Sequence, residues 1–445
     1  MSQENEKAKF SLTGATLYGI NAVIGSGIFL LPQRIYDGMG PASIVALLAD
    51  VLLVLLLALC FAEVAGYFSK NGGAFQYSKA AFGDFIGFNV GLLGWIVTVI
   101  AWSAMAAGFA KLLVALFPQV AGKETMVSIL LLIVLSVINS FGVKTSKTFT
   151  VVITVAKLIP IVAFSICSLF FIKYGFQHGH FTPFLQLKPG VSLSQSMAST
   201  SLIVFYAFIG FEALPIVAGE MRNAKKNVPR AILMSIIAVS FFYFIILVGT
   251  IAMLGPSIMN GVSPVQDAFM KMIGPAGKYL IAIGALVSIG GLNMGDSMMV
   301  PRYAASIADE GLLPSVIAKQ NRRGAPIVAI VVSGILAGML VLSGSFEQLA
   351  ELSVVMRFIQ YIPTALAVIV LRKKDMGVKP TFRLPFGPVI PILSVVVSIW
   401  MVSATAKINL IFAGVGIVVA SILYFVLNGK GKADKAPETP NKAAE

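Results

Sequence analysis

Long apolar runs separated by short polar segments recur along the whole chain. Twelve approach the ~20 residues that a helix needs to cross a hydrocarbon layer of about 30 Å; they lie at 12–38, 43–68, 83–117, 125–142, 148–173, 195–220, 230–255, 277–308, 326–343, 347–371, 388–404 and 408–427. The pattern predicts an all-α integral membrane protein, because only closed hydrogen bonding within each segment satisfies the backbone in lipid. The runs at 83–117 and 277–308 exceed the requirement, so tilt or interfacial ends are expected. The longest connecting stretches, 174–194, 256–276 and 372–387, are too short to bury cores of their own.

Composition agrees. The chain is 58% hydrophobic and 12% charged, against roughly 25% charged in soluble domains. A net charge of +14 suggests nucleic acid in a soluble protein, but here its placement decides. With the N-terminus inside, 23 of the 33 Lys and Arg fall in cytoplasmic segments and 8 outside, while Lys157 and Arg357 lie within spans. The positive-inside rule then puts both termini in the cytoplasm of a multi-pass cell-membrane protein, with the lipid bilayer as partner and no nucleic acid. Residues 1–11 form a polar cytoplasmic segment, and no small-residue cleavage site marks a removable leader. The tail, 428–445, has a charged, Pro-containing composition expected to be disordered. Cys60 and Cys167 fall in spans, as buried apolar side chains rather than a disulfide.

Two spans are interrupted. The first reads YGINAVIGSGIFLLP and the sixth FYAFIGFEALPIVAGE, each with glycine in mid-span and a proline soon after, Pro32 and Pro215. Irregular backbone is tolerated at membrane depth only where it faces protein or a water-lined cavity. Paired interruptions in corresponding halves point to inverted repeats around a midplane site. Close helix packing is the plainer use of small residues, and it is the reading for the isolated Gly334 and Gly338.

Several motifs then coincide in order. Ile24-Gly25-Ser26-Gly27-Ile28-Phe29, Phe61-Ala62-Glu63 with Asn71-Gly72-Gly73-Ala74-Phe75, Phe208-Ile209-Gly210-Phe211-Glu212, Ala218-Gly219-Glu220 and Asn227-Val228-Pro229-Arg230 resemble those of the amino acid/polyamine/organocation transporter superfamily, from Phe10 to Leu427. The resemblance implies twelve transmembrane helices: a core of two inverted five-helix repeats, 12–173 and 195–371, with helices 1 and 6 discontinuous, plus accessory helices at 388–427. It also implies a substrate site at Gly25, Ser26 and Gly27, where the N–H groups of Ser26 and Gly27 take a carboxylate and the carbonyls of Val23, Tyr206 and Ile209 face an ammonium. Helix N-termini favour anions and C-termini cations, so the physics agrees. Such a receptor recognises any α-amino acid by its main chain.

By position and resemblance, Asn21, Trp102, Ala207, Leu292 and Asn293 line the side-chain pocket. Exchangers of arginine for agmatine, or of ornithine for putrescine, have tryptophan where this chain has Tyr206, and the arginine exchanger has asparagine where Trp102 stands. These departures weigh against a basic substrate.

An ionisable group within a span is a functional candidate, since insertion costs at least ~2.5 kcal/mol. Lys157, ten residues into the fifth span, is too deep to snorkel and matches a lysine whose ammonium replaces sodium in proton-coupled relatives. Its protonation is read as coupled to substrate binding, with a permanently charged structural lysine as the alternative. Glu212 is read as a gate or proton-sensing carboxylate, or else as a hydrogen-bonder of the unwound backbone. Arg357 needs a partner on another helix, with Asp296 a candidate; Asp50 and Glu63 receive no transport role. His178 and His180, alone in one loop, are far short of a metal site.

No Walker motif, HExxH or GxSxG occurs, so neither ATP drive nor a membrane enzyme is expected, and no cofactor. The sequence reads as a secondary amino acid transporter working by alternating access, as proton symporter or as exchanger, with a substrate sensor or channel on the same fold as remoter alternatives. Protons are an expected co-substrate and a second copy of the chain a candidate partner.

Overall fold

The computed structural model describes residues 9–141, 147–261, 263–374, 376–377, 379–403 and 405–428. Residues 1–8 of the N-terminal segment and 429–445 of the tail lie outside them. Among the described residues the chain is helical without a strand, and two isolated bridges, Phe10 with Met221 and Gln320 with Pro326, are the extent of β pairing.

The first expected span is not continuous. Helix α1 (Leu12–Val23) stops, a short α2 (Gly27–Leu30) resumes, and α3 (Pro32–Met39) turns away before α4 (Ser43–Ala65). A short α5 (Ala74–Phe82) precedes the long α6 (Asp84–Leu116), followed by α7 (Glu124–Ser140) and α8 (Lys147–Gln177). The sixth span splits into α9 (Leu193–Phe208) and α10 (Ala213–Ile216); then come α11 (Ala224–Leu254), α12 (Pro264–Ile273) and α13 (Pro275–Asp309). The last are α14 (Ile327–Ser343), α15 (Phe346–Lys373), α16 (Val389–Ser403) and α17 (Lys407–Asn428).

Capping shows why several helices begin where they do. Ser11 accepts from the Gly14 N–H, and Ser192 and Ser345 open α9 and α15 with reciprocal bonds to Gln195 and Gln348. Pro160, Pro229, Pro301 and Pro363 sit inside helices, as bundled membrane helices tolerate.

Among the described residues eight helices are long and apolar enough to cross a membrane, and α7, α14 and α16 are shorter apolar helices. This is a multi-pass membrane protein. The expected sixth span does not meet that length: its break leaves 16 residues in α9, and that helix carries Ser194, Gln195, Ser196, Ser199, Thr200 and Ser201. Helix α5 lies in a stretch read as a connection, and α12 in the 256–276 loop.

Helix α11 packs against α8, α1 and α4, and α6 against α13 and α15, so both sets of neighbours surround the broken helices. The middle of α6 is almost wholly buried, whereas α17 presents Phe412, Val418, Phe425 and Val426 outward, as a lipid-facing helix does. The close packing read for Gly334 and Gly338 does not occur at Gly338, whose Cβ position meets nothing within 4 Å. Both glycines instead line an apolar groove between α7 and α14.

The end that carries the N-terminus is tied shut by contacts between segments. Arg222 N–H donates to the Phe10 carbonyl at 2.9 Å, Gly72 N–H to Ile216 at 3.2 Å, and Gly219 N–H to Asn71 Oδ1 at 2.9 Å. Lys79 on α5 reaches Glu310 beyond α13 at 2.6 Å. Glu63 at the end of α4 takes both arms of Arg372 at 2.6 Å and the Leu384 N–H, which fixes the connection after α15. At the other end Lys111 pairs with Glu347, Lys188 with Asp37 at 2.5 Å, and Gln33 donates to the Met259 carbonyl at 2.7 Å.

Among the groups at the first end, Glu310 is a carboxylate whose partners shift its titration. The hydrogen bond from Lys79, aided by Gln76, holds its carboxyl below the ordinary 4.5. A depressed carboxylate contributes stability that is present above its unfolded pKa and is lost as pH falls through the folded one. Thermal unfolding in detergent is therefore expected to lose stability as pH drops below about 4.5, and Glu310→Gln is expected to flatten part of that acid limb.

Candidate functional site

The two interruptions meet. Gly210 has φ +126°, a region other residues avoid, and a Cβ there falls 2.1 Å from the Ala22 carbonyl oxygen; a Cβ on Gly27 falls 2.8 Å from Ala207 Cα. Backbone therefore lies on backbone, with no room for a side chain between. Each break frees polar groups that lipid cannot satisfy.

Those groups are met largely by side chains. Lys157 on α8 donates to the carbonyls of Asn21 at 3.0 Å and Ile24 at 2.7 Å, and Ser288 on α13 adds a second donor to Ile24 at 3.2 Å. Tyr243 on α11 bridges the two breaks, donating to Ala207 at 2.9 Å and to Val23 at 3.3 Å. The Tyr206 carbonyl accepts the N–H of Ile209 at 3.3 Å. A carbonyl has two lone pairs, so Val23 and Tyr206 each retain one for another donor. Among the described residues the N–H groups of Ser26 and Gly27, at the start of α2, donate to no acceptor.

Glu212 closes the second break. Its Oε2 accepts from Gly210 N–H and from the Tyr361 hydroxyl, both at 3.0 Å, while Oε1 pairs with Arg357. The guanidinium of Arg357 thus finds Glu212, 145 residues away, and not Asp296. The break aims Glu212 at α15, whereas Asp296 on α13 stays unbonded among the described residues. Both alternatives for Glu212 remain compatible with this arrangement, since it bonds the unwound backbone and also holds an ion pair.

The expected site residues do not all share one space. Asn21, Ile209, Glu212 and Leu292 line a cavity of about 50 Å³ together with Thr98, Met105, Asp296 and Arg357. That volume suits water rather than an amino acid. Ser26 and Tyr206 lie beside it, their hydroxyls 3.2 Å apart and Met105 Sδ 3.4 Å from Ser26 Oγ. Leu292 and Met105 both crowd Gly25. Trp102, Ala207 and Asn293 are buried but outside the cavity's lining; Trp102 Nε1, Asn293 Oδ1 and Asn21 Oδ1 have no hydrogen-bond partner. Tyr243, Ser288, Met105 and Tyr361 were not anticipated. A lone hydroxyl in an apolar run such as the one holding Tyr243 does signal a buried partner.

A multi-pass bundle with two facing helix breaks, a lysine on first-helix carbonyls and a small cavity beside them fits a membrane transporter. The sequence profile of the amino acid permease family matches residues 10–429, and the chain belongs to that family. It is 31% identical over 416 residues to an uncharacterized transporter of Mycobacterium tuberculosis, covering 88% of this chain and 86% of that protein. To the serine/threonine exchanger SteT of Bacillus subtilis it is 27% identical, covering 93% and 94%. To the methylthioribose transporter of the same organism it is 29% identical, covering 93% and 92%.

Removing one member of a buried pair costs about 3–5 kcal/mol because the other charge is stranded. Arg357→Met is expected to lower the detergent unfolding temperature sharply. Arg357→Met combined with Glu212→Gln, which keeps an acceptor for Gly210 and Tyr361, is expected to recover most of the loss. Equal unfolding of the single and double variants contradicts the pairing.

Proposed function

We propose that this protein carries a neutral amino acid across the cytoplasmic membrane by alternating access, as a proton-coupled symporter in which Lys157 is the coupling group. The observation that carries this reading is the paired break: the N–H groups of Ser26 and Gly27 donate to no acceptor among the described residues at the first, and α9 ends at Phe208 beside it, leaving carbonyls of Val23, Tyr206 and Ile209 near the two helix ends. A carboxylate suits the first set and an ammonium the second. In this reading Gly25, Ser26, Gly27, Val23, Tyr206 and Ile209 hold the main chain, while Asn21, Trp102, Ala207, Leu292 and Asn293 surround the side chain. Ser26 and Tyr206 present hydroxyls beside Met105 and Leu292, and the cavity's cation, Arg357, is committed to Glu212, which leaves nothing for an acidic side chain; Tyr206 and Trp102 weigh against a basic one, so a neutral side chain is favoured.

The twelve spans group into inverted repeats at 12–173 and 195–371, with 388–427 accessory and both termini cytoplasmic. Contacts tie both ends of the bundle and the cavity is smaller than an amino acid, so substrate passage requires one set of ties to open while the other holds. Lys157 is poised for coupling because its ammonium bonds two carbonyls that the first-helix break releases, so losing its proton loosens that break.

Exchange is the second reading, favoured by the likeness to SteT, a serine/threonine exchanger. Proteoliposomes separate the two. Symport predicts accumulation of neutral amino acid driven by an inward proton gradient with no internal substrate, abolished in Lys157→Ala; uptake that demands internal amino acid and ignores the gradient establishes exchange instead.

A further inference from the structure

Asp296 stands on α13 in the wall of the same cavity as Asn21, Glu212 and Arg357. Among the described residues it forms neither a hydrogen bond nor an ion pair, although a bare carboxylate in a span is costly. Its helix is pressed against α8 on both sides of Lys157: Gly284 meets Pro160, and Gly291 meets Ile153. Lys157 and Asp296 lie within range of each other's charge. Asn21 links them, since its carbonyl accepts from Lys157 while the residue lines the cavity that Asp296 faces.

The charges around the breaks sum to zero in two pairs. Arg357 and Glu212 neutralise each other directly, which leaves the Lys157 ammonium and the Asp296 carboxylate to balance. In a low-dielectric interior a proton that left Lys157 without a nearby acceptor would strand a negative charge on Asp296. Other titratable groups around Asp296 are Tyr18 on α1 and Tyr206 on α9, with Glu212 and Arg357 already committed; α6 contributes Thr98 and Met105, which do not titrate.

We propose that Asp296 is the acceptor to which Lys157 hands its proton on the way to the cytoplasm. The Lys157 Nζ–H bond breaks and an Asp296 Oδ–H bond forms through intervening water, since the two groups are not in contact in this conformation. Ammonium becomes amine, carboxylate becomes acid, and the pair's total charge is unchanged. Asp296 then releases the proton to water when the ties at the cytoplasmic end open. Asp296 is a relay residue for coupling; it shares the cavity with Asn21 and Leu292, so the test compares driven accumulation with counterflow, which a loss of substrate binding would lower together.

This inference rests on the symport reading, and the experiment separates their failures. In proteoliposomes, gradient-driven accumulation is compared with counterflow at equal pH for the wild type, Asp296→Asn and Asp296→Glu. The ratio of accumulation to counterflow is expected to fall by about tenfold or more in Asp296→Asn, and Asp296→Glu to restore it with a displaced pH profile. If wild-type accumulation ignores the gradient, the symport reading itself fails. If the wild type is driven and Asp296→Asn keeps the wild-type ratio, or loses both activities in proportion, the relay is wrong. Should Asp296→Asn yield no protein, an Asp296→Glu pH profile identical to the wild type's overturns the proposal equally.

Discussion

Everything at the centre of this protein follows from backbone groups that a helix break releases where water is absent. Residues 24–26 and 209–212 leave the regular hydrogen-bond pattern inside a bundle whose neighbours are otherwise continuous helices. An unpaired peptide group there costs free energy comparable to a lost hydrogen bond. The surrounding residues are placed accordingly: Lys157 and Ser288 on the carbonyl of Ile24, Tyr243 across both breaks, and Glu212 on the Gly210 N–H. The N–H groups of Ser26 and Gly27 are left over. In the proposed reading a substrate carboxylate completes that set, and folding and recognition then draw on one requirement.

The same low dielectric governs the charges. Four ionisable groups cluster near the breaks, three on separate helices and Glu212 in the second break itself, and they balance: Arg357 with Glu212, and Lys157 with Asp296. A balanced cluster is insensitive to small motions of one helix, yet it resists removal of any single proton. That combination suits a machine in which proton movement and helix movement must occur together. The ties at the two ends, Lys79 with Glu310 on one and Lys111 with Glu347 on the other, lie nearer solvent and are correspondingly weaker.

How much of this was legible beforehand depended on whether the signal was local. The breaks were visible because glycine and proline interrupt apolar runs, and Lys157 and Glu212 because a charge in such a run stands out. The partner of Arg357 was not visible, since Glu212 lies 145 residues away on another helix and nothing in the spacing links them. Tyr243 and Ser288 were missed for a different reason: hydroxyls in membrane helices are common, and here their acceptors are main-chain carbonyls that no residue type reveals. The break in the sixth span was expected from Gly210 and Pro215, but how few residues it leaves in an unbroken helix was not, because hydropathy averages over the break. Gly334 packs closely, its Cβ position 3.1 Å from Ser136 Oγ, but Gly338 meets nothing within 4 Å, because the motif reports small residues without reporting what lies opposite.

The central claim is that recognition is built from backbone at both breaks, carboxylate on one and ammonium on the other. Its most direct measurement is the affinity of the purified protein for a transported amino acid, for its decarboxylated amine and for its deaminated acid, by calorimetry at one pH. The account predicts that removing either charged group weakens binding by about a hundredfold, since each charge-assisted set contributes on the order of 2–3 kcal/mol. Comparable affinity for the amine or for the acid would contradict it.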